Sequence, residues 1–413
     1  MYRLLSNVRV VEGASFVAAP YCALLLSQLG AEVIRFDAIG GGPDFGRWPL
    51  SPNGASFYWE GLNKGKKSVA LNLGQPAGRE LAVAIATAGG DGGGLFVTNY
   101  PENGFLSHER LAKVRPDMIT ARILGHADGS SAVDYTVNCA IGLPYMTGAE
   151  GSDAVPVNHV LPAWDLLAGS TAATALLAAL DFRKRTGQGQ HIRVPLSDVA
   201  AATLGTLGQI AEVAVSGKDR PKIGNSLFGA YGRDFACSDG KRVMVVAITS
   251  KQWTSLVEAL AIRDQIAPLE AKLGLSFETD EGKRYQHRDR LDTIVETAVA
   301  RYALAGLCER FTATGVCYGV YRTLHEALTE DPSFVTANPV FSDVTHPSGH
   351  TYATPGFPAS FVSSERGRPL AAPTLGQHTE EILTSVLGLP SKAIADLHDQ
   401  GTIRLQDQPT HFQ

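Results

Sequence analysis

The chain has 413 residues, 44% of them hydrophobic and 19% charged, with a formal net charge of −5. That length exceeds one ordinary hydrophobic core and points to two domains, while the weak negative charge gives no basic field for nucleic acid or an anionic membrane. No apolar run is expected to span a bilayer, "MYRLLSNVRVVEG" lacks a signal-peptide core, and the five cysteines are scattered without a CxxC pair, as expected of reduced thiols in a cytoplasm.

In chain order, "VRVVEG" is a predicted buried strand. "PYCALLLSQLG" is a helix that begins on a proline and stops at Gly30, and "AEVIRFD" is the next strand. This β-α-β unit ends at Asp37, where a dinucleotide-binding fold keeps its ribose acid. Its first turn is "EGASFVAAP". Only Gly13 fills a glycine position of G-x-G-x-x-G; Ser15 and Ala18 fill the others. The Cβ of Ser15 stands where backbone must approach a pyrophosphate, which argues against a nicotinamide cofactor. The glycines at 40–42 and 89–94 are expected in turns. "LNKGKKSVALNL" gathers Lys64, Lys66 and Lys67 ahead of a strand. That is either a solvated turn or a phosphate clamp of point charges.

"PAGRELAVAIATA" (helix), "GLFVTN" (strand), "SHERLAKV" (helix) and "DMITARIL" (strand) continue the alternation. It predicts a mostly parallel sheet covered on both faces. A long helix follows in "NHVLPAWDLLAGSTAATALLAAL" and closes on "RKRTGQG". Its single early carboxylate, Asp165, is either an N-cap or a reactive group. Gly169, Ala172 and Ala173 give the next turns a slim face, suited to a partner helix or a ligand. The helix dipole is expected to hold Asp165 ionised and nucleophilic. "QHIRVPL" returns to strand, and "SDVAAATLGTLGQIAEVAV" is helical.

Near residue 217 the composition changes. "SGKDRPKIGNSLFGAYGRDF" is a long connection; "RVMVVAI" and helices from Lys251 to Phe311 form a smaller domain. "HPSGHTYATPGFPASF" is an expected loop, and "HTEEILTSVLGL" the last amphipathic helix. The predicted division is 1–216 for the first part of the large domain, 217–325 for the linker and small domain, and 326–413 for the return. No metal site is expected: no H-E-x-x-H or paired cysteines occur, and His126 and His159 are expected on loops. A G-x-S-x-G nucleophile elbow is also missing.

As a whole the chain resembles the class III CoA-transferases, the family of formyl-CoA transferase and α-methylacyl-CoA racemase. The carrying segments are "VRVVEGASFVAAPYCALLLSQLGAEVIRFD", "LNKGKKSVALNL", "LFVTNYPENGF", "DLLAGSTAATALLAALDFRKRTGQGQHIRVPLSD" and "PTLGQHTEEIL". The resemblance implies a Rossmann-like α/β large domain with a parallel sheet, built from both chain ends. It also implies a smaller α+β domain and an interlocked homodimer. No cofactor is bound permanently; coenzyme A enters as part of an acyl-CoA substrate. Asp165 matches the family nucleophile. By the same resemblance, Val17, Ala18, Asn63, Lys64, Lys67, Asn99 and Tyr100 contact CoA.

The chain departs from its relatives in places. Val133 stands where the racemases carry a catalytic histidine, which argues against α-proton exchange. Ala38 replaces an arginine of the formyl-CoA transferases, and their glycine-rich small-domain loop has no counterpart. "AVDYTVN", "LPYMTG", "NHVLPAWD" and "GAYGRDF" most resemble the branch that moves CoA between the two carboxyls of a C5 unsaturated diacid. The runner-up is transfer to a second, free carboxylic acid. Arg47, Tyr135, His159 and Arg233 are the candidates for holding the diacid, and backbone amides near Asp165 are expected to stabilise tetrahedral oxyanions.

Overall fold

The computed structural model describes residues 1–90, 92–151 and 155–406. The chain opens with β1 (Arg9–Gly13), α1 (Ala18–Gln28), β2 (Glu32–Ala38), α2 (Phe57–Asn63), β3 (Lys67–Leu71), α3 (Pro76–Thr87), β4 (Leu95–Thr98), α4 (His108–Val114) and β5 (Ile119–Leu124). It continues through α5 (Asp134–Ala140), α6 (Leu143–Met146), α7 (Ala163–Thr186), β6 (Gln190–Pro195), α8 (Leu196–Thr206) and α9 (Gln209–Ser216). Next come β7 (Tyr231–Ala236), β8 (Arg242–Ala247), α10 (Ser250–Ala259), α11 (Arg263–Leu273), α12 (Glu281–Gln286), α13 (Arg288–Val299), α14 (Leu304–Thr314), β9 (Cys317–Val320) and α15 (Leu324–Glu330). The last elements are β10 (Phe341–Thr345), β11 (Thr351–Pro355), α16 (Thr379–Ser385), α17 (Ser391–Asp399) and β12 (Ile403–Arg404).

The chain divides into two compact units. The first comprises Met1–Ile141, His159–Val215 and the chain from Pro332 onward; the second comprises Gly142–Asn158 and Ser216–Asp331. Residues 142–158, expected in the large domain, belong to the second unit, and the return falls at Pro332 rather than at 326.

In the first unit seven strands form one sheet in the order β12-β3-β2-β1-β4-β5-β6, all parallel except β12, which runs against β3. This is the α/β sheet that the alternation predicts. Its central strands β1 and β4 are short and buried almost throughout, as parallel strands between helices are. On one face α3, α4, α16 and α17 close over Val11, Ile34, Phe36, Val69 and Phe96. α7 packs along α1, β5 and β6. The expectation that no apolar run could span a bilayer is corrected here: α7 is long and apolar enough by length and composition. Its buried residues, among them Ala168, Gly169, Ala172 and Leu176, instead serve as core. α8 and α9 are bent by 70° where one continuous helical stretch was expected; Gly208, with φ 76°, supplies the break.

The second unit holds the antiparallel sheet β7-β8-β9. Its core gathers Tyr231, Phe235, Val243, Trp253, Phe277, Leu291 and Phe311.

Two expectations near the C-terminus change. The expected loop at 346–361 begins inside an antiparallel hairpin, β10 with β11. Polar contacts rather than apolar alternation hold it: Thr345 Oγ1 and Thr351 Oγ1 lie 2.7 Å apart, and Glu60 accepts from Ser348 N at 2.8 Å and from Tyr352 OH at 2.8 Å. The expected last helix, α16, is followed by α17 and β12.

Candidate active site

β1 and β4 end side by side at the C-terminal edge of the sheet, with Gly13 opposite Thr98. A Cβ on Gly13 would fall 2.5 Å from Phe36 Cζ, so a larger residue would have to displace that buried ring. Thr98 Oγ1 donates to Gly13 O at 2.8 Å. Asn99 Nδ2 donates to Ser15 O at 2.9 Å, while its Oδ1 accepts from Ser15 N at 3.2 Å. These bonds fix the turn into α1, where Phe16 sits at φ 69°. A left-handed conformation costs a non-glycine residue on the order of 1 kcal/mol. α1 then begins at Ala18, and its first amides have no intrahelical acceptors.

α7 starts against this turn. A Cβ on Gly169 would lie 2.6 Å from Ala18 O and 3.0 Å from Tyr21 Cδ1. The slim face is therefore filled by α1. Asp165 stands one turn before Gly169, on the same side of the helix.

Asp165 does not cap α7. The helix opens at Ala163 after Pro162, so Asp165 is already within the first turn. The cap comes from α5: buried Asp134 accepts, through Oδ2, from Trp164 N at 2.6 Å and from Asp165 N at 3.2 Å. Its Oδ1 lies 2.7 Å from His159 Nε2. Trp164 Nε1 donates to Asn138 Oδ1 at 3.1 Å, docking the same α5 onto α7. Two amides expected to stabilise oxyanions are thus already used.

Among the described residues, the Asp165 carboxylate takes no hydrogen bond and no ion pair. Its pKa is raised to about 6, first by burial and then by the negative charge of Asp134; Arg47 opposes the rise. The expected dipole effect is overridden. The first-turn amides nearest the carboxylate are occupied by another acid, and desolvation penalises the charge. At neutral pH the group is still mostly ionised, and it is more basic than an ordinary aspartate.

Arg47 is exposed and lies over two rings, 5.5 Å from the Phe16 centroid and 5.4 Å from that of Tyr58. Tyr58 also senses Asp165, and burial pushes its own pKa to about 12.

Beside this site lies a buried charge cluster. Arg35 donates to both oxygens of Asp37 at 2.8 Å, to Glu12 at 3.0 Å, to Asp44 at 3.0 Å and to Asn63 Oδ1 at 3.2 Å. Lys66 Nζ donates to Glu12 at 2.7 Å, to Pro20 O at 2.9 Å and to Asn63 Oδ1 at 3.0 Å. Asp37, the would-be ribose acid, is thus taken by a neighbour on its own strand.

The remaining predicted residues fall as follows. Val17 and Ala18 form the start of α1 and are buried. Asn99 and Tyr100 occupy the loop after β4, where the Arg122 guanidinium donates to Tyr100 O. Asn63 is inside the charge cluster. Lys64 and Lys66 are buried, so the lysines are not a solvated turn. Lys64 Nζ donates to Gly61 O at 2.6 Å, and burial, aided by Lys66, lowers its pKa to about 8. Lys67 opens β3 at the sheet's opposite, N-terminal edge, paired with Glu32 and Glu381 at 2.7 Å each. Tyr135 OH donates to Val160 O at 3.2 Å, and its ring meets that of His159 edge-on at 5.8 Å. Arg233 belongs to the second unit, pairs with Asp292 at 2.9 Å and lines a cavity of ≈ 610 Å³ with Glu150, Asn225 and Arg242. Among the described residues no group of three His, Cys, Asp or Glu is placed to hold a metal ion. Sequence reasoning missed Asp134, Phe16 and Tyr58 as site residues. Asp134 stood inside "AVDYTVN" with a helix-start signal, but nothing local shows that it caps a helix 30 residues away.

A family model for CoA-transferase family III matches residues 5–379, and the chain belongs to that family. It is an enzyme of the CoA-transferase and isomerase kind that the family comprises. Over 99% of this chain and 100% of the relative, it is 45% identical to a 2-methylfumaryl-CoA isomerase of Chloroflexus aurantiacus. It is 28% identical to a succinyl-CoA:glutarate CoA-transferase of Mus musculus, over 97% of this chain and 90% of that one. A crystal structure of a CAIB/BAIF family protein from Brucella suis shares the fold with a TM-score of 0.75 at 23% identity, covering 92% of this chain and 99% of that chain.

Proposed function

We propose that the protein moves coenzyme A from one carboxyl of 2-methylfumarate (mesaconate) to the other, converting the C1 thioester into the C4 thioester. The observation that carries this reading is Asp165: a half-buried carboxylate without a hydrogen-bond partner among the described residues, raised to a pKa of about 6, at the start of α7. The name of the 45% identical relative supports the choice of substrate.

The steps balance without metal or ATP. Asp165 attacks the thioester carbonyl, and collapse of the tetrahedral adduct expels CoA thiolate and leaves a mixed anhydride. The thiolate attacks the aspartyl carbonyl of that anhydride, forming an aspartyl-CoA thioester and freeing the substrate carboxylate. The diacid turns, and its other carboxylate attacks the aspartyl thioester, regenerating thiolate and an anhydride at C4. Thiolate attack on the C4 acyl carbonyl then releases product and Asp165. One thioester replaces another, so the energies stay nearly level, and each covalent step divides a difficult exchange into easier ones. The raised basicity of Asp165 makes it a better nucleophile while leaving it ionised at neutral pH. The amides that open α1 lack intrahelical acceptors and are candidate donors for the tetrahedral oxyanions.

The exposed apolar residues of α9, Ile210, Val213 and Val215, support the homodimer that the family resemblance implies. The test of function is to incubate the purified protein with mesaconyl-C1-CoA alone and follow the C4 isomer by chromatography. A product that forms only when another acid is supplied would instead mean intermolecular transfer.

A further inference from the structure

We infer that Arg47 is the residue that grips the carboxylate of the diacid not engaged with Asp165, and that the same arginine serves both half-reactions. This deepens the reading above and rests on it.

Four candidates for that grip can be compared on their present partners. His159 is committed to Asp134 at 2.7 Å. The Tyr135 hydroxyl donates to Val160 O. Arg233 lies in the second unit and is paired with Asp292. The Arg47 guanidinium makes no hydrogen bond or ion pair among the described residues. Its contacts are the faces of Phe16 and Tyr58. Cation–π contact spends none of the five guanidinium N–H donors, and unspent donors suit bidentate capture of a carboxylate.

The placement is built rather than incidental. Phe16 holds a left-handed conformation between Ser15, clasped by Asn99, and the start of α1, which touches Gly169 one turn beyond Asp165. The Arg47 backbone is anchored as well: its N donates to Asp44 O at 3.3 Å, and its O accepts from Ser56 Oγ. Asp44 in turn is held by Arg35. Phe16 is thus tied to the framework that positions Asp165, and the Arg47 backbone to the charge cluster beside it. The field of Arg47 reaches Asp165, where it acts to keep the carboxylate ionised.

The substrate's own geometry completes the argument. The two carboxyls of mesaconate lie trans across a rigid double bond. Half a turn exchanges their positions and leaves the span between them unchanged. One fixed cation therefore meets C4 while C1 reacts, and C1 while C4 reacts. A cation that also retains the free diacid explains how CoA would be returned to the same molecule.

The test compares mesaconyl-C1-CoA with tiglyl-CoA, which carries a methyl in place of the C4 carboxylate. In single-turnover experiments the rate of CoA capture on Asp165 is read by intact-protein mass. In the natural protein the diacid ester is preferred. In Arg47→Gln that preference falls about 10- to 100-fold, the size of one charge-assisted hydrogen-bonded pair lost, and labelled free mesaconate exchanges into the product faster than in the natural protein. Arg47→Lys recovers part of the preference. Equal losses on both esters, or no loss on either, would overturn the assignment, because Arg47 would then act on Asp165 itself or not at all. Failure of the natural protein to isomerise the C1 ester defeats the underlying function separately, before any variant is made.

Discussion

Glu12, Asp37 and Asp44 lie in the same unit as Asp165, and all four are acids shielded from solvent, yet their surroundings differ in kind. The first three share Arg35 and Lys66 through hydrogen bonds of 2.7–3.1 Å. Asp165 has the negative charge of Asp134 for a neighbour and, among the described residues, no donor. The contrast teaches that burial alone does not make a carboxylate a nucleophile. A buried acid with a full set of donors is a structural strut; one whose donors have been taken by another acid is available to react.

The largest expected effect is at the unpaired acid. Asp165→Asn should lower turnover roughly 10⁴-fold, as removal of a covalent nucleophile does, while CoA esters still bind by calorimetry. Activity within tenfold of normal would erase the distinction between the two groups. At the paired acids the effect should fall on the fold instead. Arg35→Met strands buried Asp37 and Asp44, leaves Glu12 to Lys66 alone, and should cost about 3–5 kcal/mol in urea unfolding. A loss of activity with unchanged stability would place the cluster in the chemistry.

Smaller changes sharpen the same contrast. Gly169→Ala puts a methyl on Ala18 O and should destabilise by about 1–3 kcal/mol, more than its gain of ~1 kcal/mol in helix propensity; thermal melts would show it. Asp165→Asn, fatal to turnover, should stabilise the fold by about 1–2 kcal/mol at pH 8. The sign follows from a folded pKa of about 6 against an ordinary 3.8. Below 3.8 the acid is protonated in both states and costs nothing. As the pH rises from 3.8 the unfolded chain ionises while the folded acid resists, so the penalty grows until about pH 6 and is constant above it. Denaturation of both forms between pH 4 and 8 should therefore show the asparagine variant gaining over the lower half of that range and holding the advantage unchanged above it. The rate of the natural enzyme should fall in acid with a limb near pH 6.

The parallel sheet was legible because its central strands carry apolar runs and alternate with helical segments. Asp165 was legible as a lone acid among small residues and by its match to a family motif. What escaped was pairing at a distance. Lys66 looks like a surface lysine until Glu12, 54 residues earlier, is folded against it. The capping of α7 by Asp134 is hidden for the same reason. The hairpin β10–β11 was missed because side-chain hydrogen bonds, not alternating hydrophobicity, hold it. Residues 142–158 gave no compositional signal that they leave one unit for the other.

The edge of the main sheet has a consequence for how the chain is made. β12 pairs with β3, Leu71 lying opposite Ile403. Trp59 Nε1 donates to Pro373 O, and Gly65 N to Ala371 O. The apolar face under α16 and α17 therefore has no cover until the ribosome has passed β12. At the usual 5–20 residues per second that interval is on the order of tens of seconds. For that time Val69, Leu71 and Phe36 form an open, strand-edged surface in the nascent chain. The protein's dependence on chaperones should thus be set by the delay between its third strand and its last, and swapping slow codons for fast ones across that stretch should raise the soluble yield.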